Sequence, residues 1–185
     1  MTRHLRSTVL PLSLFVTSFL PLACGGSSDS EPKVCTDLKS YTSTVSSQLS
    51  FATDVLPILV NTSSSGGCAQ AGACHGKEAI GINPLGTKKL QFEFDPPNAA
   101  MAKAQLLMPS VNASGMQRVT PGSVSQSMMS YKISGKDGLA CISSMCQSGA
   151  SVGTPPCGDP MPTVGEITAA DRTKILDWIA SGAAD

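Results

Sequence analysis

The stretch Cys68-Ala69-Gln70-Ala71-Gly72-Ala73-Cys74-His75-Gly76 brings together the residue types with the most chemistry in the chain. Two thiols followed at once by an imidazole match the way a c-type haem is held. Sulfur forms thioether bonds to the porphyrin vinyl groups, and the adjoining histidine becomes the proximal iron ligand. The common spacing is Cys-x-x-Cys-His, whereas five residues separate Cys68 from Cys74 here. Two other chemistries use the same side chains. In an oxidising compartment neighbouring cysteines join as a disulfide, which leaves His75 a solvated side chain. A zinc site would take Cys68, Cys74 and a later cysteine as thiolates, a state that such a compartment disfavours.

The N terminus points to that compartment. Arg3, His4 and Arg6 precede an apolar run, Val9 to Leu20, that is too short to span a bilayer as a stable helix and reads as a signal peptide. Pro21-Leu22-Ala23-Cys24 resembles a bacterial lipobox, with Pro21 where leucine is usual. Cleavage before Cys24 would leave a lipidated cysteine, and several acyl chains anchor stably where one holds weakly. The alternative is an ordinary signal peptide cut near Ala23, with Cys24 left for pairing. The mature chain would have 162 residues (185 minus 23), a length typical of one domain with a tail. Loss of Arg3 and Arg6 leaves 11 basic against 13 acidic residues, a formal charge of −2 that argues against nucleic-acid binding.

Residues 24–50 are rich in Ser, Thr and Gly and read as a lipidated tether, reaching roughly 25–30 Å for about 25 flexible residues. Cys35 within it suggests a disulfide that pins the segment to the domain. The domain itself is expected over 51–185. Phe51, Val55, Ile58 and Leu59 fall on one helical face, and Pro57 suits a first turn, so the helix is expected to start near Asp54. Leu90, Phe92 and Phe94 alternate with polar residues as in a short extended piece. A helix is expected over 98–108 and stopped by Pro109, and another capped by Ser123 and running through Met128, Met129 and Ile133 to Gly135. A long loop between Leu139 and Gly165 carries Cys141, Cys146 and Cys157. The clearest helix begins at a Thr168/Asp171 capping pair, continues through Ile175, Leu176, Trp178 and Ile179, and ends at Gly182. Trp178, the only tryptophan, is expected to anchor it against the first helix.

These pieces together resemble the planctomycete-type cytochrome c domain, a relative of the class I cytochromes c. The residues that carry the likeness are Phe51-x-x-Asp54-Val55-Leu56-Pro57-Ile58-Leu59, Cys68 to Gly76, Val119-x-Pro121-Gly122-Ser123-x-Ser125-x-Ser127-Met128, Met161-Pro162, and Ile175-x-x-Trp178-Ile179-x-x-Gly182-Ala183. The resemblance implies a small all-α, disulfide-stapled fold of three to five helices with long loops, its first and last helices crossing. One covalent haem c would be held by Cys68 and Cys74, its iron by His75 and, on the distal side, Met161. The residues bound the same chemistry. His75 is the only histidine left after cleavage, so one haem without bis-histidine ligation is the limit. The sixth ligand is then a methionine, a lysine, water or nothing. Met161 lies between Pro160 and Pro162, which suits a pre-organised ligand, although it also fits a surface methionine without a role; Met101, Met108, Met128 and Met129 read as helix packing.

Seven cysteines less Cys24 leave six. If haem takes two, the other four pair in three ways, and if it takes none, six pair in fifteen. The leading expectation is an electron carrier rather than an enzyme, since no second histidine or distal acid/base pair forms a catalytic constellation and no small-molecule substrate is evident. Its partners would be redox proteins and, through the lipid, a membrane. Gly25 after the lipidated cysteine lacks the aspartate of inner-membrane retention, so the periplasmic face of the outer membrane is favoured. The competing expectation is a haem-free envelope lipoprotein, stapled by a Cys68–Cys74 disulfide and serving as a binding or structural module.

Overall fold

A computed structural model describes residues 31–60, 98–146, 157–162 and 165–185. The cysteines and histidine of the 68–76 motif, the extended piece at 90–94 and everything up to residue 30, including Cys24, lie outside them. The packed unit runs from Glu31 to Asp185.

The described residues form six short α-helices and no strand: α1 (Lys33–Lys39), α2 (Leu56–Val60), α3 (Ala99–Leu106), α4 (Met128–Lys132), α5 (Gly135–Ala140) and α6 (Ala169–Ala180). A π-helical turn, Phe51–Val55, leads into α2, and 3-10 turns occupy Val124–Gln126 and Ser143–Met145. The all-α expectation therefore holds for these residues, with more helices than the three to five foreseen. None of the helices among them is long and apolar enough to cross a membrane.

The core joins the two ends of the described domain. Trp178 and Phe51 are buried with ring centroids 5.2 Å apart, and Val55, Leu59, Ile175 and Ile179 are closed off around them. The indole N–H of Trp178 donates to the carbonyl of Ala184 at 2.8 Å, and the Phe51 amide donates to the same oxygen at 3.2 Å. That carbonyl is presented by the turn that ends α6. The Gly182 amide bonds Ile179 O and the Ala183 amide bonds Trp178 O, so the chain reverses after the last helical turn. The C-terminal helix begins as its sequence implies, with Thr168 Oγ1 accepting from the Asp171 amide. The expected packing of Trp178 against the first helix of the 51–185 region is thus observed.

The helix expected near Asp54 begins earlier. Ser50 Oγ accepts from the Thr53 amide while Asp54 Oδ2 accepts from the Ser50 amide, a reciprocal cap that starts the helical turns at Phe51. Pro57 then lies within the helical run, not at its opening. The wide turn just before it, with Leu56 N–H bonded to Phe51 O, gives space to a ring that would otherwise crowd the carbonyl four residues back. Leu56 joins the buried face, and Ile58 is only partly covered.

Part of the stretch read as tether is folded. Cys35 and Leu38 of α1 are buried, and Cys35 is joined to Cys141 with Cα atoms 5.4 Å apart, as the pinning disulfide requires. Downstream of α1, the buried Asp177 of α6 holds the chain. Its Oδ1 accepts from the Thr44 amide at 2.8 Å and from Tyr41 Oη at 3.1 Å, and its Oδ2 accepts from Thr44 Oγ1 at 2.8 Å. Three donors on one carboxylate make the burial of its charge tolerable.

The middle of the domain is a set of turns that brace α3 and α6. Thr120-Pro121-Gly122-Ser123 closes with Ser123 N–H on Thr120 O, and Gly122 has φ +77°, the left-handed position that a turn with proline before it needs. The Gly122 amide donates to Ile179 O, and the Arg118 guanidinium donates to Gln105 O in the last turn of α3, where positive charge suits the exposed carbonyls. The helix expected from Ser123 to Gly135 is divided. Ser127 is extended, because its buried hydroxyl accepts from the Thr120 amide and donates to Ser123 O, and α4 starts only at Met128. Gly135, with φ +75°, ends that segment and opens α5 instead of closing the region. In α3 the inward stripe is Ala102 and Leu106, so Met101 is exposed, and Met108, past the end of the helix, is exposed as well; Met128 and Met129 are buried as expected.

Replacing Trp178 by alanine is expected to lower unfolding stability by about 3–5 kcal/mol, and by phenylalanine by clearly less, in urea titrations with disulfides intact. Desolvation, reinforced by the charge of Asp177, pushes the Tyr41 phenol up to about 12. A raised folded value means that its contribution is complete below the unfolded value near 10 and is lost as pH rises through the folded one. Urea midpoints should therefore fall more steeply with pH in the wild type than in Tyr41→Phe over that alkaline window.

Candidate functional site

Met161 is the one proposed iron ligand among the described residues, and the segment around it is fixed at several points. Cys157 is joined to Cys146 with Cα atoms 4.9 Å apart. Cys146 itself is held by a bridge to Ala113, beside a Ser114 amide bonded to Met145 O. The chain then turns at Gly158, whose φ is +71° and whose missing side chain would approach Lys132 Nζ at 3.1 Å. Lys132, at the end of α4, takes hold of the segment twice. Its ammonium donates to Asp159 O at 2.6 Å, and its own carbonyl accepts the Met161 amide at 3.0 Å. Pro162 is buried and Met161 is partly exposed, so a rigid segment presents a thioether that is not consumed by the core.

Lys132 is 8% exposed. Burial lowers its ammonium to about 8, against the opposing effect of the Asp159 charge. Sequence reasoning does not single it out, because its need for a partner shows only in the fold, where every residue from Met128 to Ile133 is buried. Next to it, Ser130 Oγ is buried with no hydrogen-bond partner among the described residues. Asp177 was likewise not foreseen. It lies inside the apolar stripe of α6 and faces the returning N-terminal segment.

The disulfides divide the cysteines. Cys35 is bonded to Cys141 and Cys146 to Cys157, so four of the six cysteines beyond Cys24 satisfy one another. That pairing leaves no free thiol among these four. A zinc site built from Cys68, Cys74 and a later cysteine loses its third thiolate, because Cys141, Cys146 and Cys157 are all oxidised. Among the described residues no group of three or more His, Cys, Asp or Glu is placed to hold a metal ion. Met161, the one proposed ligand among the described residues, is a soft sulfur on a fixed segment, and the sequence holds two further thiols beside His75 that these two disulfides do not use.

Comparison of the chain with protein-family models, with curated proteins and with solved structures gives no match.

Peptide mapping without reduction is expected to recover 35–141 and 146–157 cross-linked peptides and none that joins Cys68 or Cys74 to these four. A mixed pairing would contradict the division.

Proposed function

We propose that the chain is a lipid-anchored, monohaem c-type cytochrome that passes single electrons in the cell envelope. Cys68 and Cys74 would hold the porphyrin, His75 and Met161 the iron, and Cys24 the lipid. The observation that carries this reading is the division of the cysteines. Of the six beyond Cys24, four are joined in pairs, and the two set apart are those that lie beside the only histidine outside the signal peptide. The fixed Met161 segment adds a second donor of the right softness.

The bound group would supply a one-electron couple that needs little geometric change. The chain's own part is to keep the ligands in place so that little reorganises on electron transfer. The Lys132 contacts and the Cys146–Cys157 bond limit movement of the Met161 backbone, while the Phe51–Trp178 core and the Cys35–Cys141 bond hold the helices of the packed unit together. Redox proteins are the expected partners, and the lipid would confine encounters to the envelope, with the periplasmic face of the outer membrane preferred. The same division also accommodates a Cys68–Cys74 disulfide in a haem-free scaffold, the competing reading.

The test is a denaturing gel stained for haem peroxidase activity, on protein made with a periplasmic cytochrome c maturation system. The wild-type band is expected to stain, Cys74→Ser to lose attachment, and His75→Ala to lose the low-spin visible spectrum. An unstained wild-type band would favour the scaffold.

A further inference from the structure

The Asp159–Pro162 segment is poor in means of fixing itself. Pro160 and Pro162 have no amide hydrogen, and residues 157–162 hold no helix or strand. Polar anchorage comes instead from Lys132, whose side chain and main chain bond two successive peptide units that flank Pro160. Keeping an ammonium inside a fully buried helical run is costly unless its hydrogen bonds are strong, and a methionine or leucine would pack there without that cost. The cation is thus a disadvantage to the core that the Met161 segment explains.

We infer that Lys132 is a positioning residue for Met161: by holding Asp159 O and the Met161 amide together, it fixes the backbone that carries the thioether proposed as axial iron ligand. This rests on the haem reading given above. Gly158 belongs to the same device. With φ +71° and a Cβ position 3.1 Å from Lys132 Nζ, it lets the ammonium reach the next carbonyl, and a side chain there would both strain the backbone and crowd the ammonium by a few tenths of an ångström. The cross-link at Cys157 limits how far the segment can move when the lysine is lost, so the expected effect is on ligation more than on folding.

The experiment compares full-length wild type, Lys132→Met and Lys132→Gln, each matured with haem. It reads the methionine-to-ferric-iron charge-transfer band, the midpoint potential and the affinity for added imidazole, which competes with Met161 for iron. Haem content and far-ultraviolet circular dichroism control for folding. Lys132→Met is expected to keep covalent haem and helix content, to lose most of the band, to fall in potential and to bind imidazole about tenfold more tightly, in line with loss of one charge-assisted hydrogen bond. Lys132→Gln, which retains an N–H donor, is expected to recover part of the band. Should Lys132→Met fail to fold, Gly158→Ala keeps the lysine and is expected to shift imidazole affinity in the same direction. A band and imidazole affinity unchanged from wild type in the folded variants would overturn the inference alone. A wild type that carries haem without the band would overturn Met161 ligation and the inference with it. A wild type without haem would overturn the functional reading beneath both.

Discussion

A buried indole needs somewhere to place its N–H, and in this domain the choice of partner determines much else. Trp178 is enclosed on all sides, and its one donor goes to Ala184 O, which also receives the Phe51 amide. One carbonyl therefore fixes the end of α6, the start of the π-helical turn and the spacing of the two rings packed between them. The turn at Gly122, donating to Ile179 O, and the carboxylate of Asp177, receiving Tyr41 and Thr44, attach two further segments to the same helix. α6 is thus the member to which these three segments are attached. With few aromatic residues and short helices, the buried core is reinforced by two disulfides. In chain-entropy terms, bonds that close separations of 106 and 11 residues contribute roughly 4–5 and about 3 kcal/mol.

Those same bonds carry the functional argument. Oxidised cysteines are withdrawn from every other chemistry, and the withdrawal is selective. It takes Cys35, Cys141, Cys146 and Cys157 and spares the pair adjoining His75. The second bond also leads directly into the Cys157–Pro162 segment, so the stapling reaches the stretch that carries Met161. Lys132 completes that segment from the helical side. Its cost to the core is offset by the two bonds with which it holds that segment.

The parts legible in the sequence were those whose causes are local. The C-terminal helix has its capping pair, its stripe and its terminal glycine within fifteen residues of one another, and Trp178 had only the first helix of the 51–185 region to meet. α1 was not legible, because Lys33–Lys39 offers only Cys35 and Leu38 to the core and is held in place by a cysteine far along the chain. The break at Ser127 is also a tertiary effect: a hydroxyl that reaches back to Thr120 overrides an apolar run that reads as continuous helix. Met101 is exposed because the inward stripe of α3 is only Ala102 and Leu106, and Met108 because the helix ends before it. Of the site, Met161 and its flanking prolines were visible, while its hold on Lys132 was not, since nothing in sequence spacing brings residues 132 and 159 together. Cys24, Cys68, Cys74 and His75 lie outside the described residues, and their roles remain those proposed from the motif.

The most direct measurement is the intact mass of the mature protein, produced with a cytochrome c maturation system, denatured and alkylated without prior reduction. One haem per chain and no alkyl group at any of the six cysteines is the predicted result: four sulfurs in disulfides and two in thioethers. A mass without haem would contradict it, whether two alkyl groups reveal unused thiols at Cys68 and Cys74 or none reveals a third disulfide between them.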